Sequence, residues 1–384
     1  MIKKEIEKIA KECELKGYAL VTYDEGCYTS FYGGFATESK KTDKNTIYRI
    51  ASISKIIVAL GIMKLWEERK VSLDEDISTY LGFEIRNPNF KNTPITLRML
   101  MTQTSSITDG FDDEEMTNET RIDGYNGVNG TNLKVSLEDL LVPNNTPYYS
   151  TLTYANYKPG SEFCYSNFGC GILACIIEKV SNENYNEYIR KNIFEPLNIN
   201  ASFIPSILKL ARYHNGEGFI ASTYTNGVLT RSEDLFLKNE YPIFPCGTSF
   251  RGPAGGCFIN AEDLARLMGM LIENSGVILK MQTIKEMEKI NWQISEERRL
   301  SDLNRYGSYN AKGLQLAILN RDNHILYGHT GSAYGLRSIM MFDPVIKKGL
   351  VFLTNGGNYH TAPSGLTDCL EKVLSLWESE NYEK

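Results

Sequence analysis

The strongest constraint on the fold lies at the two ends of the chain. Residues 18–23 (YALVTY) and 27–35 (CYTSFYGGF) are β-rich runs joined by Asp24-Glu25-Gly26, which reads as a hairpin. Near the other end, 313–319, 325–329, 336–342 and 349–354 are again β-rich, separated by turn chemistry such as NRDN and DPVIKKG. Two strands do not make a stable sheet alone, and neither end shows the strand-helix alternation of a parallel sheet. The simplest solution pairs both ends in one antiparallel sheet and makes the middle an insertion.

Signals in the insertion are mostly helical: ITLRMLMT at 95–102, FGCGILACIIEKV at 168–180, NYNEYIRKNIF at 184–194 and AEDLARLMGMLIE at 261–273. Asn260 is placed to cap the last of these. The stretch 105–150 differs in texture, rich in Asp, Asn, Gly and Thr, with seven acids between 109 and 123 against one arginine. It reads as a long loop. If its acids overhang a cleft, they favour a cationic end such as a free amine. A chain of 384 residues holds one large domain or two. The expected division is a discontinuous α/β sheet lobe, residues 1–75 and 306–384, and a mainly helical lobe, residues 76–305.

A net charge of -6 and a pI near 5.5, with no basic stripe, argue against nucleic acid or an anionic membrane as partner. A small molecule or short peptide is the default ligand. No run reaches the roughly eighteen apolar residues of a membrane span. The first residues, MIKKEIEKIAKECELKGYAL, lack the apolar core of a secretory signal, so a cytoplasmic address is expected. The eight cysteines (13, 27, 164, 170, 175, 246, 257, 369) form no C-x-x-C pair, and the chain has four histidines. That spacing suits neither a zinc site nor a disulfide scaffold, so reduced cysteines and no metal or organic cofactor are expected. Cys164, beside Tyr165, is the one nearest to other candidate chemistry.

One helix carries an awkward charge. In RIASISKIIVAL (49–60), apolar residues lie almost all round the helix from Ile53 to Trp66, which marks it as central and buried. Ser52 falls at its start and Lys55 lies three residues on, on the same face. Burial and the positive helix end both disfavour the ammonium form, so Lys55 could act as a base toward Ser52. Taken alone, Ser-x-x-Lys fits an ordinary helix start better, with Ser52 as cap and Lys55 reaching solvent. PSILK at 205–209 repeats the pattern with no long buried helix behind it, and Ser54 points about 100° away from Lys55.

Two further motifs change the balance. A Pro-Gly turn at 159–160 precedes Tyr165-Ser166-Asn167, which opens an apolar helix, and His329-Thr330-Gly331 ends a β-run. A glycine there lets a substrate backbone lie close to the strand. With Ser52-x-x-Lys55, Tyr165-x-Asn167 and His329-Thr330-Gly331 in this order, the sequence resembles the serine β-lactamase and penicillin-binding-protein superfamily, in its class C-like branch of DD-peptidases, D-aminopeptidases and carboxylesterases. LRMLMTQTSSI (97–107) and GPAGGCFINAEDLARLM (252–268) also resemble its recurring segments. The likeness covers roughly residues 18–355.

The resemblance implies an α+β fold of β-lactamase/transpeptidase type: an antiparallel, five-stranded-type sheet flanked by helices, plus the inserted helical lobe. It implies a serine hydrolase working through a Ser52 acyl-enzyme on small amides, esters or D-amino-acid peptides, with β-lactams at least acylating Ser52. An acyltransferase, or a ligand-binding sensor without turnover, are the alternatives. Lys55 and Tyr165 would share base and acid duty, which requires the Tyr165 pKa to fall. Asn167 would hold the substrate amide and the Lys55 amine. His329 and Thr330 would orient substrate and tune Tyr165, and the backbone N–H groups of Ser52 and Ser332, beside Gly331, would form an oxyanion hole. Tyr154-Ala155-Asn156 spells a competing Tyr-x-Asn but leads into no helix. Gln103 and Ser106 replace the His and Gly common in the family's Leu-Thr-His-Thr-Ser-Gly segment, an expected change in loop geometry near the site. Histidine at 329 in place of lysine occurs in peptidase and esterase members.

Overall fold

The computed structural model describes residues 2–110, 121–129, 131–143, 146–208, 219–225, 228–230, 246–273, 275–321 and 323–382. The chain opens with α1 (Ile2–Glu12), β1 (Gly17–Asp24), β2 (Cys27–Gly34), β3 (Thr46–Arg49) and α2 (Ser54–Glu67). Glu25 and Gly26, both at positive φ, turn β1 into β2 with Asp24 opposite Cys27. This is the two-residue turn whose twist suits a hairpin.

The insertion carries α3 (Ile77–Leu81), α4 (Leu97–Met101), α5 (Gly124–Val128), α6 (Leu137–Leu141), α7 (Asn167–Ser181) and α8 (Tyr185–Ile189). Short strands β4 (Phe219–Ile220), β5 (Thr223–Thr225), β6 (Val228–Thr230) and β7 (Phe258–Asn260) then lead to α9 (Ala261–Glu273) and α10 (Met281–Glu288). β3 pairs with β4 and β7 in a small sheet, and β5 pairs with β6. Asn260 caps α9 as expected, its Oδ1 accepting from the Asp263 N–H at 2.7 Å. The stretch read as a long loop contains α5 and α6. Ser136 and Asp139 form a reciprocal capping box at the start of α6, a signal present in the sequence as S-x-x-D. Residues 111–120, with most of the acids of that stretch, lie outside the described residues.

The chain closes with β8 (Trp292–Gln293), α11 (Glu296–Ser301), α12 (Leu303–Tyr306), β9 (Ala311–Lys312), β10 (Ala317–Arg321), β11 (His324–Ala333), β12 (Leu336–Asp343), β13 (Lys348–Thr354) and α13 (Asp368–Asn381). The two ends of the chain meet in one antiparallel sheet of order β2-β1-β13-β12-β11-β10-β9-β8, with Tyr18 opposite Thr354 and Asp24 opposite Lys348. The expected five-stranded sheet is β2 to β11 of that order. It extends to eight because β10, which leads into β11 and pairs with it, also pairs with the two-residue strand β9, and β9 with β8.

Both faces of this sheet are covered, and the two-residue period of its strands divides them. Ala19, Val21, Met340, Phe342, Val351 and Leu353 join the core built with α2, α7 and α9. Their neighbours Leu20, Ile339, Met341, Leu350 and Phe352 join a second core closed by α1 and α13. α2 is buried all round, with eleven of its fourteen residues inside, so the residues at its start are held by packing from every side. None of the eight cysteines forms a disulfide. Among the described residues no helix is long and apolar enough to cross a membrane.

Candidate active site

Ser52 lies in a single 3₁₀ turn, Ala51–Ile53, between β3 and α2. No side chain caps α2, so Ser52 is not its N-cap, and Lys55 is fully buried and does not reach solvent. Both parts of the plainer reading of Ser-x-x-Lys therefore fail. Ala51 holds a φ of 49°, sparsely populated by a residue with a side chain, directly before the serine.

What holds that turn is the sheet. The Ile50 carbonyl accepts from Ser338 Oγ of β12 at 3.1 Å, and the Ile50 N–H donates to the Cys257 carbonyl at 2.9 Å. Gly331 packs against the same segment. A Cβ there would fall 2.5 Å from the Ile50 carbonyl oxygen and 2.3 Å from Ser338 Oγ. The glycine thus admits the backbone that carries Ser52, where the sequence suggested room for a substrate. Gly331→Ala is expected to push that backbone aside, with a loss of about 1–3 kcal/mol in stability and slower reaction at Ser52. Thermal melting and the rate of Ser52 labelling measure the two; an unchanged variant would contradict the packing described.

Ser52 Oγ sits 3.1 Å from Lys55 Nζ and accepts a 2.7 Å hydrogen bond from Tyr165 OH. Lys55 Nζ also donates to Asn167 Oδ1 at 2.8 Å and to the Ala254 carbonyl at 2.9 Å. Burial pulls the Lys55 pKa down to about 8, against the opposing pull of Cys170 and Asp109. A neutral amine has two N–H bonds, and these are matched by Asn167 and Ala254. Its lone pair is then left for the Ser52 hydroxyl proton.

The Tyr165 hydroxyl lacks the lowered pKa that a base role requires. Burial pushes its hydroxyl above the usual tyrosine range, and the hydrogen bond to Ser52 only partly offsets this. The phenol stays protonated, which suits it to donate a proton and not to take the first one. Lys55 Nζ lies 4.7 Å from the centre of the Tyr165 ring, a cation–π distance whenever the amine is charged.

The turn that carries Tyr165 is clamped by Gln103. Its carbonyl accepts from the Cys164 N–H at 2.7 Å and its side-chain oxygen from the Ser166 N–H at 2.7 Å. Gln103 and Ser106 both hold positive φ, at 62° and 65°. Ser106 thus holds a left-handed backbone conformation that glycine adopts more readily. Ser166 caps α7 through the Gly169 N–H, and Asn167 begins the helix.

Sequence reasoning missed the residue beneath Asn167. Asp109, one of the acids expected to overhang a cleft, is turned inward and accepts from Asn167 Nδ2 at 2.8 Å, Ser166 Oγ at 3.0 Å and the Phe168 N–H at 2.8 Å. It fixes which way the Asn167 amide faces. One N–H of Asn167, expected to serve the substrate, is committed to that carboxylate. Asp123 from the same stretch pairs with Arg121 at 2.8 Å. Nothing in the sequence separates Asp109 from the other acids of its stretch.

His329 is fully buried, which replaces its expected substrate contact by contacts within the protein. Its Nδ1–H donates to the Thr330 carbonyl at 2.6 Å, and its ring lies 6.4 Å from that of Tyr165. Burial, with Lys312 and Lys55 nearby, holds the imidazole pKa well below its usual value, so the ring is neutral. Thr330 Oγ1 is 2.6 Å from Tyr309 OH, a partner the sequence did not suggest. Ser332 is exposed further along the same strand. The competing residues are spent elsewhere. Ser54 Oγ accepts from the Cys257 N–H at 3.1 Å, and Tyr154 OH donates to the Leu141 carbonyl at 2.7 Å. The Ser206 side chain lies outside the described residues.

Comparison with known proteins agrees with this architecture. The chain is similar to Protein flp of Staphylococcus aureus strain N315, 24% identical over 316 residues that cover 82% of this chain and 54% of that protein. It is 27% identical to penicillin-binding protein 4* of Bacillus subtilis over 168 residues, 43% of this chain and 32% of the other. The chain thus spans about half the length of the curated relatives it matches. Among solved structures, an octameric penicillin-binding protein homologue from Pyrococcus abyssi superposes with a TM-score of 0.69 at 25% identity, covering 99% of this chain and 78% of that one. D-amino acid amidase from Ochrobactrum anthropi SV3 shares the fold, with a TM-score of 0.70, 19% identity and 99% coverage of both chains. The Beta-lactamase family model matches residues 2–367, and the chain belongs to that family.

Proposed function

We propose that the protein is a serine hydrolase that cleaves small amides or esters of D-amino acids through an acyl-enzyme on Ser52. The observation that carries this reading is the placement of one hydroxyl between a buried amine and a protonated phenol, 3.1 Å and 2.7 Å away.

The chemistry follows from those groups. Neutral Lys55 takes the Ser52 proton as Oγ bonds to the substrate carbonyl carbon. The backbone N–H groups of Ser52 and Ser332 receive the negative oxygen that forms. As the carbon–nitrogen or carbon–oxygen bond breaks, Tyr165 gives its proton to the leaving group and regains one from the Lys55 ammonium. Water then adds to the ester, its proton leaves through the same groups, and Ser52 departs reprotonated. Asn167 and Asp109 keep the amine oriented through both halves.

The substrate class draws on the structural likeness to D-amino acid amidase, which extends over nearly the whole of both chains. Hydrolysis of D-alanine amide, L-alanine amide and N-acetyl-D-alanine amide tests it. The D-amide is expected to exceed the L-amide by about tenfold or more in kcat/KM. A preference for the L-amide, or no turnover of either, would remove the substrate class and leave the Ser52 chemistry to be judged separately.

A further inference from the structure

The hairpin that carries Ser332 is closed by an unusual residue. Tyr334 and Gly335 form the two-residue turn between β11 and β12, where Ala333 pairs with Leu336, and hold φ of 49° and 80°. Such a turn favours Asn, Asp or Gly before its glycine, and a tyrosine held in the left-handed region is strained. Tyr334 is 52% exposed, and the Arg49 guanidinium carbon lies 4.7 Å from the centre of its ring.

Arg49 ends β3, three residues before Ser52, and is half-buried. Its Nε–H donates to the Gly255 carbonyl at 2.9 Å. The preceding carbonyl, that of Ala254, is the one that accepts from Lys55 Nζ at 2.9 Å. Both belong to a tight turn in which the N–H groups of Gly255 and Gly256 donate to the Gly252 carbonyl, at 3.0 Å and 2.6 Å. That turn rests on the residue before Ser52, since a Cβ on Gly255 would come to 3.7 Å from the Ala51 backbone.

A guanidinium can make both contacts at once. Its N–H bonds lie in its plane and serve a carbonyl at the edge, while its face stacks on an aromatic ring. The two structures it touches serve different sides of Ser52. One turn holds the amine that takes the serine proton, and the other follows the strand whose Ser332 N–H would receive the carbonyl oxygen.

We propose that Arg49 is a positioning residue for the Ser52 reaction: its edge fixes the turn that holds Lys55, its face fixes the hairpin that carries Ser332, and the two halves of the site are thereby kept in register. This rests on reading Ser52 as the nucleophile. Tyr334 is the other half of the brace, which gives its strained position a use. Without the guanidinium, the Gly255 carbonyl loses its donor and the adjoining Ala254 carbonyl can move away from Lys55. A misplacement of about 1 Å in a catalytic group costs up to about a hundredfold in rate. The loss falls on bond making and not on binding, because neither Arg49 nor Tyr334 is asked to hold substrate.

Saturation kinetics of Ser52 labelling by a fluorophosphonate tests this, because it separates the maximal rate kinact from the half-saturating concentration KI. The proteins are wild type, Arg49→Met, Tyr334→Leu and the double variant, compared at about pH 9.5, above the Lys55 pKa of about 8, so that the amine is neutral. Arg49→Met is expected to lower kinact by about tenfold to a hundredfold with KI within about twofold of wild type. Tyr334→Leu is expected to lower kinact by about threefold, and the double variant to be no slower than Arg49→Met, because the ring acts through the guanidinium. Arg49→Lys lacks the planar fork, is expected to stay at least about fivefold below wild type, and takes the place of Arg49→Met if that variant does not fold. A folded Arg49 variant with kinact within about twofold of wild type, or a loss confined to KI, would overturn the positioning role. Losses that multiply in the double variant would overturn the brace. Absence of wild-type labelling would instead remove the nucleophile, and the proposal with it.

Discussion

Ser52→Ala is expected to lower amide hydrolysis by at least about ten-thousand-fold while the fold persists. The size of the effect follows from the lack of a substitute. Ser54, two residues on, has its oxygen bonded to the Cys257 N–H, and the Thr330 hydroxyl is held by Tyr309. Neither is placed between an amine and a phenol. Steady-state kinetics on the substrate that wild type hydrolyses best measures the loss. Residual turnover within about tenfold of wild type would mean that another residue carries the acyl group.

Lys55→Met is expected to cost about a thousandfold, within the range that general bases contribute. It should also remove the acid limb of the pH profile. In wild type the amine must be neutral to accept the serine proton, so the rate rises as pH passes through about 8 and is lost as pH falls. Methionine keeps the length of the side chain and replaces a buried amine by an apolar group, so the fold is expected to survive. The measurement is kcat/KM from about pH 6 to about pH 9 for both proteins. A variant that keeps the wild-type limb would assign that titration to another group.

Much of this was legible in the sequence, and for identifiable reasons. The end-to-end pairing follows from β-rich runs that have no partners nearby, and α2 from its lack of a polar face. Ser52, Lys55, Tyr165 and Asn167 are brought together as three short motifs in order suggested. The rest depends on packing over long distances. Asp109 is one acid in a run of acids, and its hydrogen bonds to Ser166, Asn167 and Phe168 at the start of α7 come from packing that the sequence does not display. The Ala254 carbonyl that holds Lys55 leaves no trace in composition, because any residue has one. Gly331 was legible as a close approach, yet what approaches it is Ile50 and Ser338 from other strands or turns. His329 ends a β-run whose sequence points toward a substrate, and only the folded chain shows the ring buried beside Tyr165 and Tyr309. A neighbouring amine favours a lowered Tyr165 pKa, whereas burial, which no short motif displays, is the dominant influence and raises it.

The most direct test of the central claim is the location of the covalent adduct. Intact-mass analysis after exposure to a fluorophosphonate and to a β-lactam, followed by peptide mapping, is predicted to show one adduct on wild type. It is predicted to lie on Ser52 and to be absent from Ser52→Ala. No adduct on wild type, or the same adduct on the variant, would contradict the mechanism.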